Sequence, residues 1–501
     1  MTVKDTILNI LPTSLHQYTK RIEASPLGYR LAKGAFWSLT GALISRGLGL
    51  ISSILVARML GKEGFGELGI IQNTVGMFGI FAGFGMGLTA TKYIAEFKIK
   101  DPDKAGRIMS LSGLVAIITG GIISIALVVF APWLAKNTLA APHLSRLLQI
   151  STGLLFLTAL NGSQTGALAG FEAFKTIAQV NLWAGITAFP LMVGGVYMAG
   201  LEGAIWGLLA SMGINWLLNH IALRIEARKA KIPFSYRGCM QEWKVVWTFS
   251  LPSVLAGAMV GPVNWACSAM LVNQPSGYAE MGVFNAILRI KQVPEMILSI
   301  IMMPLLPVLS EQFGTKATQS YNKTLSYAFA VSLLVIVPIS LIQMAIPSLT
   351  LLPYGREFQG NYVLVQWMML HAVLVGLFQP FGSILPSMNR MWFGWAYNLS
   401  WGGVYLLLSY FLIPVYGVTG LAAATFFTHL TTSLVCVAYI YRFEKAFISE
   451  IPLSYSMITV LFLSEISVAT FHLISSPMSG VIGILVAFLC ISILYRRFCC
   501  L

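Results

Sequence analysis

The sequence predicts an all-α polytopic membrane protein with 14 transmembrane helices: two parallel six-helix repeats forming N- and C-lobes around a central cavity, plus two extra C-terminal helices. Composition predicts the membrane setting, because 57% of the 501 residues are apolar, only 10% are charged and the mean hydropathy is +0.77. These values lie far outside the range of soluble globular chains. An internal duplication predicts the two lobes.

The duplication is visible in two short motifs. The segment Gly64–Gly69 reads GFGELG and returns 213 residues later as GYAEMG at Gly277–Gly282. The segment Gly200–Gly203 reads GLEG and returns 217 residues later as GVTG at Gly417–Gly420. A repeat of this length holds six crossings, an even number, so both copies enter the membrane from the same side. The two repeats are therefore expected to be parallel and to meet along the transport pathway.

Apolar segments of the required length define the predicted domains, since about 20 residues span a bilayer. The fourteen segments lie near 35–59, 68–91, 108–134, 144–169, 175–198, 202–226, 245–272, 278–308, 324–352, 362–387, 392–414, 418–441, 452–473 and 476–495. They predict a cytoplasmic N-terminal segment 1–33, an N-lobe 34–226, a basic linker 227–244 that acts as a hinge, a C-lobe 245–441, and a final part 442–501 with spans 13 and 14.

Basic residues predict the orientation, because short positive loops stay in the cytoplasm. With the N-terminus inside, 24 of the 32 lysines and arginines face the cytoplasm and only five lie outside. Both termini are then cytoplasmic, in a multi-pass protein of the inner or plasma membrane. The net charge of +14 is explained by this topology and by attraction to anionic membrane lipids, so it does not indicate a nucleic-acid partner.

Features of an enzyme are lacking in the sequence. The loops are too short to fold as separate domains, and the only aspartates are Asp5, Asp101 and Asp103, all in predicted cytoplasmic positions. No Gly-rich lysine motif predicts nucleotide binding, and the six cysteines follow no metal or redox spacing. No metal or cofactor is therefore expected, although coupling to an H⁺ or Na⁺ gradient stays open.

Two arginines lie deep within predicted spans. Arg46 is about 11 residues into span 1 and Arg289 about 11 residues into span 8, so both lie near the midplane at about 1.5 Å per residue. A cation at that depth costs about 3 kcal/mol, so each should face a watery cavity or a partner. The repeat offset pairs Arg46 with Met259 and Arg289 with Gly76, which shows that the duplication did not copy these charges.

Span 8 carries further polar residues. Asn285, Arg289 and Gln292 follow i, i+4, i+7 spacing and so predict one polar stripe for substrate binding. Lys291 points about 200° away from Arg289 and has Glu295 at i+4. It is a candidate substrate ligand, while a structural ion pair with Glu295 is the alternative.

The remaining features of interest are a helix-breaking proline in span 8 and several further polar or charged residues. Pro294 is expected to interrupt span 8 beside the cavity. Asn264 in span 7 and Gln379 in span 10 are further substrate-binding candidates. Glu67, Glu295 and His371 are candidates for ion coupling. Glu67 and its repeat equivalent Glu280 have a structural alternative, because carboxylates are favoured at helix N-termini.

With these residues in place, the chain resembles the polysaccharide-exporter branch of the multidrug/oligosaccharidyl-lipid/polysaccharide exporter superfamily. The likeness is clearest in LVARMLGKEGFG at Leu55–Gly66 and in GFGMGLTATKYIAE at Gly83–Glu96. In the second repeat, GVFNA at Gly282–Ala286 leads into Arg289 in a similar way. The resemblance covers the twelve-span core, and its motifs do not specify a substrate.

The resemblance implies a Wzx-type flippase whose two lobes form a V around a cavity that opens alternately to either side. The implied substrate is an oligosaccharide, such as an O-antigen or other surface polysaccharide unit, linked by diphosphate to a polyprenyl lipid. Polysaccharide polymerase machinery is a candidate partner. An ion-coupled drug exporter of the same superfamily is the nearest alternative and would need an anionic cavity. A glycan polymerase or ligase is the other alternative, and it would form new glycosidic bonds.

Overall fold

The structure is a computed structural model, and it describes residues 26–234, 236–302, 305–315, 317–387 and 391–443. All regular elements in these ranges are helices. The α-helices are α1 (Pro26–Gly83), α2 (Met86–Phe97), α3 (Pro102–Trp133), α4 (Ser145–Gly170), α5 (Phe174–Lys229), α6 (Leu251–Gly257), α7 (Val260–Val272), α8 (Gly277–Ile301), α9 (Leu305–Gly314), α10 (Thr318–Ala345), α11 (Pro347–Leu351), α12 (Tyr362–Phe378), α13 (Phe381–Ser387) and α14 (Met391–Phe443). The N-terminal segment to residue 25 and the predicted spans 13 and 14 lie outside the described residues.

Three long helices change direction at a glycine. The backbone of α1 breaks at Gly61, that of α5 at Gly200 and that of α14 at Gly417. Gly200 has φ 54° and ψ −132°, and Gly417 has φ 55° and ψ −133°. Only glycine adopts this positive φ without strain. The two occurrences of the duplicated G-x-x-G motif therefore form the same backbone turn, and each joins two predicted spans.

Seven helical stretches of the described chain are long and apolar enough to cross a membrane, judged by length and composition. They are Ile44–Gly83, Pro102–Thr138, Phe174–Lys229, Val246–Val272, Thr318–Ala345, Tyr362–Ile384 and Ala396–Ile440. Because three of them contain the glycine breaks, the seven together take in ten of the predicted spans. The predicted spans 4 and 8 correspond to α4 and α8, which are helices of 26 and 25 residues. The count of fourteen spans stays a prediction.

The breaks inside the spans differ from the prediction. Pro294 does not interrupt span 8, because α8 runs continuously from Gly277 to Ile301. Span 2 is broken instead, between the end of α1 at Gly83 and the start of α2, where Gly85 has φ 65°. A Cβ added at Gly85 would lie 2.9 Å from the Ser250 carbonyl oxygen, so the absence of a side chain allows this close approach.

The linker after α5 packs against the first group of helices. Arg107 of α3 forms an ion pair with Glu242, with 2.8 Å between Nη2 and Oε1. Cys239 is buried in a small core with Met86 and Leu111. This contact ties the linker to the helices that precede it.

The helices form two groups by their contacts. Helices α1 to α5 pack mainly on one another and are called the first bundle here, while α7 to α14 form the second bundle. Separate hydrophobic cores lie inside each group, and the largest core includes residues of both, such as Phe65, Met281 and Phe358. Helix α8 packs extensively on α1 and so belongs to the contact between the bundles.

The bundles meet where the C-terminal half of α1 crosses the beginning of α8. A Cβ added at Gly66 would overlap the carbonyl oxygen of Tyr278, and one added at Gly282 would overlap the carbonyl oxygen of Lys62. The crossing, called the glycine seam below, is thus backbone against backbone. It lies at the end that the charge distribution predicts to face outward, and this end is called the outer end.

Candidate functional site

A cavity of about 960 Å³ begins directly beneath the glycine seam at Phe65 and extends toward the other end of the bundles as far as Ser45 and Met296. Its walls come from α1, α4, α5 and α8, so the first bundle surrounds it and α8 closes one side. The polar side chains that line it are Ser45, Arg46, Ser53, Gln72, Thr158, Asn285, Arg289 and Gln292. Among the described residues that line the cavity, none is acidic.

The polar stripe of α8 faces this cavity. Asn285, Arg289 and Gln292 all line it. Arg289 crosses to the first bundle, where its Nη2 donates a hydrogen bond of 2.9 Å to Gln72 Oε1. The amide nitrogen of Asn285 lies against Gly69, at a place where a Cβ would overlap it. Arg289 therefore has one donor group held across the seam and the rest of its guanidinium exposed to the cavity.

Arg46 also lines the cavity, from the N-terminal half of α1, and its side chain is exposed there. Among the described residues, no carboxylate forms an ion pair with Arg46, and the alternative of a structural ion pair stays a prediction. Arg46 and Arg289 thus give one cavity two cationic groups without a described counter-charge. Such a site attracts anions.

Lys291 and Glu295 lie on the opposite face of α8 and do not line the cavity. Their Nζ and Oε1 atoms are 2.8 Å apart, and only 5% and 20% of their side chains are exposed. His371 lies on the same side of the second bundle, with its ring edge-on to His429 at a centroid distance of 5.2 Å. The structure therefore separates Lys291, Glu295 and His371 from the polar stripe.

The other candidates also lie away from the cavity. Asn264 is exposed and donates a hydrogen bond of 2.8 Å to the carbonyl of Val260, one helical turn earlier. Gln379 follows the last residue of α12. Glu67 binds His143, with 2.6 Å between Oε1 and Nε2. None of the three lines the cavity.

Glu280 shows the structural role expected of a carboxylate at a helix N-terminus. Its Oε2 accepts a hydrogen bond of 2.7 Å from the backbone N–H of Val418, directly after the break at Gly417. Glu67, its repeat equivalent, makes the contact with His143 instead. The same carboxylate position thus caps a helix in one bundle and, in the other, joins α1 to the segment between α3 and α4.

Sequence reasoning missed Gln72, which holds Arg289, as well as the hydroxyl groups of Ser45, Ser53 and Thr158. A usable signal existed for Gln72. The repeat offset of 213 residues places it at the position of Asn285, which was already part of the predicted polar stripe. For the hydroxyl residues the sequence carries no such signal, because serine and threonine are common throughout these spans.

Aromatic side chains cover the outer end of the cavity. The ring of Phe65 lies 6.2 Å from that of Tyr354 and 6.3 Å from that of Phe358. Arg58 donates a hydrogen bond to the carbonyl of Pro353 beside them. Burial raises the pKa of Tyr354 to about 12. The cluster and the glycine seam together close the cavity at its outer end.

Fold and site together define a membrane protein with a cationic cavity that the first bundle and α8 line. Residues 31–313, more than half of the chain, match the family model described as polysaccharide biosynthesis protein. The chain belongs to this family.

Two relatives are similar to the chain over 81% and 60% of its length. The lipid III flippase of Escherichia coli (strain K12) is 22% identical over 424 residues, which cover 81% of this chain and 97% of that protein. Stage V sporulation protein B of Bacillus subtilis (strain 168) is 21% identical over 324 residues, which cover 60% of this chain and 62% of that protein. The chain thus spans less than two thirds of the sporulation protein but nearly all of the flippase.

Solved structures share the fold. The lipid II flippase MurJ in an inward closed conformation aligns with a TM-score of 0.67 and 14% identity, covering 92% of this chain and 99% of that one. An inward-facing multidrug resistance MATE family transporter of the MOP superfamily aligns with a TM-score of 0.65 and 15% identity, covering 81% and 99%. The chain therefore has the fold of MOP superfamily transporters.

Proposed function

We propose that this protein is a flippase that moves a polyprenyl-diphosphate-linked oligosaccharide from the cytoplasmic to the outer leaflet of the inner membrane. The observation that carries the proposal is the pair Arg46 and Arg289 in one cavity with no described acidic side chain. A diphosphate is anionic and a glycan is strongly polar, so both need a watery, cationic path through hydrocarbon. The prenyl tail stays in the lipid. The relatives named as flippases support the substrate class.

The architecture supports alternating access as the mechanism. The glycine seam and the aromatic cluster close the outer end in this conformation, and Arg289 reaches Gln72 across the seam. Substrate would enter from the cytoplasmic side, and its diphosphate would contact Arg46 and Arg289 while Gln292 and Thr158 contact the sugars. Separation of the bundles at the seam would then release the head group outward. The protein makes and breaks no bond in this cycle, so it acts as a transporter and not as an enzyme.

Ion-coupled multidrug export is the second candidate, since the MATE transporters share the fold. A transporter of organic cations needs negative or neutral groups where the cation is held, because like charges in a low-dielectric cavity repel. The cavity presents two arginines and no described carboxylate, and this favours the anionic lipid-linked substrate.

The decisive experiment is export of surface polysaccharide in a strain that lacks this protein. Arg289→Ala and Arg46→Ala should each reduce restored export by about tenfold or more, because one charge-assisted hydrogen bond to an anion is worth about 1.5–3 kcal/mol. Lipid-linked oligosaccharide should accumulate in the cytoplasmic leaflet. Arg146→Ala, which removes an exposed arginine that does not line the cavity, is the matched control and should leave export unchanged. Full export by both cavity variants at normal protein level would refute the proposal.

A further inference from the structure

The ion pair between Lys291 and Glu295 is buried and takes no part in the cavity. Its atoms are 2.8 Å apart and Lys291 is 5% exposed. Burying two charges is costly, and such a pair contributes little net stability compared with apolar residues of similar size. His371 and His429 lie close enough to Lys291 to interact with it electrostatically, but they cannot supply a negative charge. Glu295 is therefore the counter-charge of Lys291 in the described part of the second bundle.

Pro294 lies inside the turn that this pair spans. Proline has no N–H, so the hydrogen bond to the carbonyl of Ile290 is missing, and the ring pushes that carbonyl away. Sharp kinks in helices are commonly found at such prolines. Helix α8 nevertheless continues without a break from Gly277 to Ile301. The ion pair between Lys291 and Glu295, at i and i+4, thus spans the turn from which the backbone hydrogen bond of Pro294 is absent.

The two ends of α8 are anchored in different places. Residues of its first half, such as Met281 and Ile287, belong to the core that joins both bundles at the outer end. Leu298, in the last turn, belongs to the core of the second bundle. Arg289 lies between the two anchors, on the cavity face. A bend at Pro294 would change the angle between Arg289 and the body of the second bundle.

We propose that the ion pair of Lys291 and Glu295 is a latch across Pro294 that limits bending of α8 and thereby positions Arg289 for the anionic group of the substrate. Both are positioning residues, and their role rests on the proposed function because it presumes that Arg289 binds an anion. Because the latch limits bending, movement of the second bundle reaches the glycine seam through α8. Without the ion pair, α8 bends at Pro294 and Arg289 no longer moves with the second bundle.

The test first removes the ion pair and then also replaces the proline that the ion pair spans. The purified protein in lipid nanodiscs is compared as wild type, Lys291→Met, Pro294→Ala and Lys291→Met/Pro294→Ala. Calorimetry measures binding of inorganic diphosphate, and mass spectrometry measures amide hydrogen exchange of residues 290–299. Lys136→Met, an exposed lysine outside the cavity, is the control for the loss of one positive charge.

Lys291→Met should weaken diphosphate binding by about tenfold and speed exchange in 290–299 by a similar factor. Adding Pro294→Ala should restore both, because alanine supplies the missing N–H and the helix no longer needs the side-chain bond. If Lys291→Met does not fold, the reversed pair Lys291→Glu/Glu295→Lys replaces it and should behave as wild type. A double variant as impaired as Lys291→Met would overturn the proposal, as that result is expected if the pair only neutralises charge or relays protons.

The experiment distinguishes a failure of the proposed anionic substrate from a failure of the latch. If the wild type does not bind diphosphate, the anionic substrate of the proposed function is refuted, while amide exchange still decides whether the pair is a latch. If diphosphate binds and depends on Arg289 but exchange in 290–299 is the same in wild type and Lys291→Met, the latch is refuted and the proposed function stands.

Discussion

Closing the outer end requires that no side chain stand between α1 and α8 at the glycine seam. In Gly66→Ala the new Cβ would overlap the carbonyl oxygen of Tyr278 and would lie 2.8 Å from its carbonyl carbon and 2.9 Å from the nitrogen of Gly282. All three contacts are backbone atoms, so no side chain can turn away and the bundles must separate. Overpacking of this kind costs about 1–3 kcal/mol. At a factor of ten per 1.4 kcal/mol, the outer-closed state should lose about 5-fold to 100-fold in population relative to the outer-open one.

The assay is labelling of a cavity cysteine from outside the cell. Gly76 lines the cavity with open space around it, so Gly76→Cys in a background without reactive cysteines reports access by a membrane-impermeant maleimide. Adding Gly66→Ala should speed labelling by the factor above, and Gly282→Ala should do so too, because its Cβ meets Lys62 from the other side of the crossing. Gly121→Ala, whose Cβ meets nothing within 4 Å, is the control. Unchanged labelling in both seam variants would refute the view that this crossing closes the cavity.

Two further predictions concern single contacts. Gln72→Leu removes the partner of Arg289 across the seam. Because a competing hydrogen bond worth about 0.5–1.5 kcal/mol is lost, diphosphate binding to Arg289 should tighten by about threefold to tenfold in calorimetry. Weaker binding would contradict this prediction. Gly417→Ala should lower the midpoint of thermal unfolding more than Gly200→Ala does. Both glycines have the same positive φ, but only at Gly417 would the Cβ lie 2.6 Å from the Glu280 carboxylate; equal midpoints would show that this contact is relaxed at no cost.

The sequence predicted the polar stripe of α8 correctly as a geometric feature, because helical spacing alone decides which of Asn285, Arg289 and Gln292 share a face. It could not predict that Pro294 would leave the helix unbroken. Whether a proline ends a helix depends on the packing around it, and α5 and α10 likewise continue through Pro190 and Pro338.

Residues from distant segments show the limit of sequence reasoning more clearly. Asn264 and Gln379 are cavity candidates by sequence because each is a polar residue within a predicted span, close to a proline. Whether such a residue faces a cavity, a neighbouring helix or lipid depends on the rotation of its helix within the bundle. The sequence is sufficient to identify Gln72 as a candidate, because the duplication pairs it with Asn285. Only the three-dimensional structure shows that Gln72 Oε1 lies 2.9 Å from Arg289 Nη2.

The glycine seam is built of main-chain atoms, whereas the cavity is lined by side chains. A substitution at Thr158, Gln292 or Met212 changes what the cavity can accommodate, but it leaves the crossing of α1 and α8 as it is. The side chains that line the cavity and the backbone atoms that close its outer end are therefore different parts of the polypeptide. Cavity residues could therefore be exchanged without changing the crossing that closes the outer end.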